Sequence, residues 1–110
     1  MKEYTQKIVD FLKEEYEKKY NTSNTSDEEL IEWLCENKYD AIYEERYESH
    51  RWWDSYFYVI KIGNKFIGYQ WASTTGDMTP WECGWKFDFD TLCECEEKQK
   101  TITYYEPKII

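Results

Sequence analysis

The sequence predicts an α+β fold in one domain over residues 1–110, with two N-terminal helices packed on an antiparallel sheet of three to five strands. Three observations lead there. Residues 1–37 repeat apolar side chains at spacings of three and four, the period of a helix with one buried face. Residues 51–75, RWWDSYFYVIKIGNKFIGYQWASTT, hold two runs of β-branched and aromatic residues on either side of Gly63-Asn64. A chain of 110 residues buries one modest core and not two, so helices and strands must share it.

The first helix is expected over Met1–Tyr20, where Tyr4, Ile8, Phe11, Leu12 and Tyr16 gather on one face and Lys7, Lys13, Glu14, Glu17 and Lys18 cover the other. The polar run Asn21-Thr22-Ser23-Asn24-Thr25 stops it. Ser26 then opens SDEEL, with Glu29 three residues on, the pattern of a capping box. Asp27 and Glu28 add negative charge at the positive end of the helix dipole. Leu30, Ile31, Trp33 and Leu34 supply the apolar stripe of this second helix, and Asn37 is its stop. The two helices form a helical hairpin over residues 1–37 that packs on one face of the sheet.

Residues 38–50 read two ways. Tyr39, Ile42, Tyr43 and Tyr47 have helical spacing, which favours a short helix to about Glu45, but the stretch also suits an extended lead into Arg51. The sheet is expected over residues 51–106. Gly63-Asn64 suits a tight turn because both residues tolerate positive φ. Placing them as the two turn residues sets Ile62 opposite Lys65, Ile60 opposite Ile67, Tyr58 opposite Tyr69 and Tyr56 opposite Trp71. Residues 73–84 form a long loop, Trp85, Phe87 and Phe89 alternate with polar residues as a third strand, Leu92–Glu97 continues the sheet edge, and Thr101–Tyr105 reads as a last strand.

Few constellations carry chemistry. Cys93-x-Cys95 with Cys83 and His50 is the one candidate metal set, but the paired two-residue spacing of zinc sites is missing, and two cysteines two apart on a strand share a face. The expectation is structural thiols and no metal. His50 stands near Ser49 and Ser55 without a nucleophile elbow. Asp88 and Asp90, with Asp77 and Glu82 before them, lack the spacing of a calcium loop and read as a solvated strand face. Gly63, Gly68, Gly76 and Gly84 are too scattered to cradle a phosphate. No catalytic residue and no cofactor is expected, and the chain is read as a non-enzyme.

Composition points to a contact surface instead. Aromatics make up 20% of the chain, with 11 Tyr and 6 Trp, residues that combine a large apolar face with a polar handle. The 23 acidic against 14 basic residues give a formal charge of −9, which disfavours direct nucleic-acid binding and suits a basic protein partner. Carboxylates and aromatics interleave in YEERYESHRWWDSY, residues 43–56. Tyr43, Tyr47, Trp52 and Trp53 are the candidate anchors there, and Glu44, Glu45, Glu48 and Asp54 the candidate steering charges. The absence of a leader pattern and of an apolar run long enough for a membrane span predicts a cytoplasmic protein with reduced cysteines. The abundance of aromatics also allows a homodimer.

In length, acidity and patches such as YEERYESHRWWDSY, the chain resembles the small, acidic, aromatic-rich proteins that phages encode against host defence, anti-CRISPR proteins among them. GYQWASTTGDMTPWECGWKFDFDTLCE, residues 68–94, has the same look. The resemblance is one of class and brings no residue with it. It implies an inhibitor that occupies a basic, nucleic-acid-handling groove of a CRISPR-like or nuclease protein in a bacterial host. The alternative is a small-ligand module or sponge for a nucleotide or metabolite, with a pocket lined by Tyr69, Trp71, Trp81 and Trp85.

Overall fold

The computed structural model describes residues 2–49, 51–74, 78–99, 101 and 103–108. Helix α1 spans Glu3–Tyr20 and helix α2 spans Asp27–Asn37. Four strands follow: β1 (Tyr43–Ser49), β2 (Asp54–Ile62), β3 (Lys65–Ser73) and β4 (Cys93–Cys95). They form one antiparallel sheet in the order β1-β2-β3-β4, so β1 and β4 are its edges. The expected α+β arrangement, with both helices N-terminal, is what the chain adopts.

Each helix ends for a local reason. Asn21 takes a left-handed conformation at φ 51° and donates its backbone N–H to the Glu17 carbonyl, closing α1. At the start of α2, the Glu29 N–H donates to Ser26 Oγ at 3.2 Å and the Ser26 N–H donates to Glu29 Oε1 at 3.4 Å, so the capping box forms as written in the sequence. A salt bridge from Lys13 Nζ to Asp27 Oδ1, 2.7 Å long, ties α1 to the first turn of α2.

The β2–β3 hairpin holds the core. Its register is the expected one at every pair: Ile62 with Lys65, Ile60 with Ile67, Tyr58 with Tyr69, Tyr56 with Trp71. Alternation along the strands sends Tyr58, Ile60, Ile62, Ile67, Tyr69 and Trp71 to one face. There they meet Ile8, Val9 and Leu12 of α1, Leu30, Trp33 and Leu34 of α2, and Leu92. The opposite face carries Phe57, Val59, Phe66, Gly68, Cys93 and Cys95, by the same alternation and the β3–β4 pairing.

Three expectations need correction. Residues 38–45 do not form a short helix: one 3-10 turn at Lys38–Asp40 leads into β1. The helical spacing of Tyr39, Ile42, Tyr43 and Tyr47 has no core to face, since all four are exposed, and the backbone is satisfied by the ladder to β2 instead. The sheet therefore begins eight residues before the expected boundary at 51. Trp85, Phe87 and Phe89 are not a strand; the chain is extended there without a ladder and then turns at Phe89–Thr91, where the Asp88 carboxylate accepts the Asp90 N–H at 2.9 Å. Their alternation is real, because all three are half-buried against the core while Lys86, Asp88 and Asp90 are exposed. Finally, the described residues between Thr101 and Tyr105 carry no strand, with Tyr104 and Tyr105 exposed to solvent, and Ile102 lies outside the described residues.

Candidate interaction surface at the sheet edge

Strand β1 stands beyond the helical layer. All seven of its residues, YEERYES, are exposed, which leaves one strand edge and both its faces open to solvent. The pairing places Tyr43 opposite Val59 and Glu45 opposite Phe57, on the face away from the helices, and Glu44 opposite Tyr58 on the helical side. Tyr47 is the extra residue of a bulge between the Arg46–Tyr56 and Glu48–Ser55 pairs. It is 63% exposed, and Tyr43 is 51% exposed.

Two small networks order the side chains. The Tyr43 hydroxyl donates to Glu45 Oε2 at 2.7 Å, and this bond to a carboxylate holds the Tyr43 phenol above its ordinary range. Arg46 donates to Asp54 Oδ1 at 3.2 Å and to Ser49 Oγ at 2.9 Å, and Ser49 Oγ donates to the same Asp54 oxygen at 2.7 Å. Asp54 is thus a clamp at the root of the β1–β2 connection, with its charge matched by Arg46, while Glu44, Glu45 and Glu48 form no salt bridge among the described residues. In the connection, Trp52 is 57% exposed with the Arg51 guanidinium 4.8 Å from its ring centroid, and Trp53 is half-buried. Of the eight residues singled out from the sequence, Tyr43, Glu44, Glu45, Tyr47 and Glu48 thus lie along the edge strand, Trp52 and Trp53 in the connection that follows it, and Asp54 at the start of β2, with Glu44 on the other face from Tyr43 and Glu45. Arg46 and Ser49 belong with them and were missed, because a helix over 38–45 hides the cross-strand pairing that brings Arg46 to Asp54.

The four residues of the alternative pocket also come together, but as a packed cluster. The Trp71 ring lies 5.1 Å from Trp85 and 5.6 Å from Trp81, Trp81 lies 5.7 Å from Trp85, and Tyr69 lies 6.3 Å from Trp71, centroid to centroid. Phe87 joins them 5.3 Å from Trp71. Tyr69 and Trp71 are fully buried, and only Trp81, 49% exposed, presents much of its ring to water. The Tyr69 hydroxyl donates to the Leu34 carbonyl at 2.6 Å, joining the sheet to the last turn of α2.

On the second face, Cys93 Sγ and Cys95 Sγ lie 3.7 Å apart, both half-buried, as expected for alternate residues of one strand. Burial and the neighbouring Cys93 push the Cys95 thiol up to about 11. His50 and Asp77 lie outside the described residues, and among the described residues no three His, Cys, Asp or Glu side chains converge. Asp90 has a structural task that spacing did not suggest. Its carboxylate accepts from the Thr5 side chain and from the Lys2 N–H, capping α1 from across the molecule, and these bonds lower its pKa. No helix among the described residues is long and apolar enough to cross a membrane. Compared with protein-family models, with curated proteins and with solved structures, the chain matches none.

Proposed function

We propose that this chain is a non-enzymatic binding protein that blocks a host defence protein, in the manner of phage-encoded inhibitors, by covering a basic surface with β1 and the β1–β2 connection. The observation that carries the reading is the exposure of all of β1, which puts Tyr43 and Tyr47 beside three carboxylates on an open strand edge next to the exposed Trp52. Aromatic anchors of that kind supply affinity, carboxylates supply steering and register, and an open edge can accept a partner strand. The partner is then basic and nucleic-acid-handling, a CRISPR-like effector or a nuclease, in the cytoplasm of a bacterial host.

The test is an affinity capture from bacterial lysate at low and high salt, with bound proteins and small molecules both identified by mass spectrometry. One basic protein retained at low salt, lost at high salt, and lost by the Glu44→Lys/Glu45→Lys/Glu48→Lys variant supports the reading, because exposed charges are screened over about 8–10 Å at physiological ionic strength. A protein captured equally by the charge-reversed variant would refute the role of β1. A captured metabolite without a protein partner would move the function to the Tyr69–Trp71–Trp81–Trp85 cluster.

A further inference from the structure

The paired thiols of β4 have no part in the surface just described. Cys93 and Cys95 sit on the sheet face away from both helices, with Sγ atoms 3.7 Å apart. The site is shaped by Gly68, which pairs with Cys93 across the ladder. A Cβ at Gly68 would lie 2.9 Å from Cys95 Sγ and 2.4 Å from Phe57 Cζ, so the missing side chain leaves the space that the sulfur and the ring occupy. The Gly68 backbone N–H is directed to Cys95 Sγ. Phe66, paired with Cys95, and Phe57 flank the sulfurs with apolar surface. Cys35 is packed against the helical core and Cys83 lies in the turn Trp81–Cys83, so neither belongs to this strand.

We propose that Cys93 and Cys95 form a two-sulfur site for a soft, thiophilic d10 cation, Cu(I) in class. The geometry is already that of a chelate. With metal–sulfur bonds of about 2.3 Å, sulfurs held as these are subtend about 107° at the metal, so no large rearrangement of β4 is needed. Thiolate ligands select soft ions over the hard cations that oxygen ligands hold, and an angle of about 107° leaves the ion to be completed by an exogenous ligand beside the two sulfurs. Each Cu(I) displaces one proton from each thiol, which solvent takes up, and no oxidation state changes. The sulfurs project from the sheet face away from both helices and are only half-buried, which gives a further exogenous ligand access to the ion.

The test uses the full reduced chain, loaded anaerobically with Cu(I), challenged with millimolar glutathione and desalted. About one Cu(I) per chain is expected to remain, as the stoichiometry of one chelating pair requires. Cys35→Ser and Cys83→Ser should keep it, while Cys93→Ser and Cys95→Ser should lose it with their melting curves unchanged. A second readout needs no variant: bound Cu(I) should protect Cys93 and Cys95, and not Cys35 or Cys83, from alkylation mapped by peptide mass spectrometry. Loss of the metal to glutathione, or equal protection of all four thiols, would overturn the site.

Discussion

At the scale of single residues, the strongest constraints are groups held in one protonation state. Burial pushes the Tyr58 phenol up to about 12 and raises that of Tyr69 as well, so both rings favour the neutral form when folded. The stability this represents is complete below the unfolded tyrosine pKa near 10 and falls away as pH rises past it, because the unfolded chain ionises first. Urea titrations from pH 8 to 11 should therefore show falling stability, with a shallower fall in Tyr69→Phe. That variant should also lose about 1 kcal/mol at neutral pH, through the missing bond to the Leu34 carbonyl. Asp90 works in the opposite direction. Its carboxyl is held below the usual range by Thr5 and the Lys2 N–H, so its contribution is present above about pH 4 and disappears as pH falls through the lowered value. Asp90→Ala should melt earlier than the parent at pH 7, with the difference shrinking as pH falls below about 4; a difference that does not change with pH would show that the Asp90 charge contributes nothing. At Gly68 the constraint is space alone. Gly68→Ala drives a methyl into Phe57 and Cys95 and should cost about 1–3 kcal/mol in urea unfolding. Phe57→Leu in the same chain should recover part of that loss.

At the scale of elements, legibility followed local chemistry. The capping box, the Gly63-Asn64 turn and the β2–β3 register were readable because each is decided by residues close in sequence. Ser26→Ala should cost about 1 kcal/mol, and combining it with Glu29→Ala should cost less than the two separately, since they share one pair of bonds. β1 was not readable. None of its residues is buried on either face, so the period-two signal that marks a half-buried strand is absent, and Tyr39, Ile42, Tyr43 and Tyr47 at helical spacing point the wrong way. The segment Trp85–Phe89 shows the converse failure: the alternation is genuine, but it reflects rings turned onto Trp71 and Tyr69 rather than ladder bonds. Of the candidate surface, the aromatic and acidic residues stood out by composition alone. The Arg46–Asp54–Ser49 network did not, because it depends on a pairing across the β1–β2 connection.

At the scale of the whole molecule, a radius of gyration of 17.3 Å exceeds the roughly 13 Å of a compact chain of this length. The described residues from Glu96 onward are all exposed, and the longest dimension reaches 67 Å. Brief trypsin treatment should thus cut after Lys98 before any site in α1, leaving a core whose melting temperature matches the intact chain; prior cleavage within α1 would contradict it. Strand β1 bears on how the molecule keeps to itself. An open edge is a template for stacking copy upon copy, and here it is interrupted by the Tyr47 bulge and carries Glu44, Glu45 and Glu48, which repel the same strand of another copy. The net negative charge of the whole chain adds to that protection. As pH drops toward the isoelectric point near 4.6, that net charge vanishes while the edge stays exposed, and the chain becomes prone to edge-to-edge aggregation into β-rich fibres.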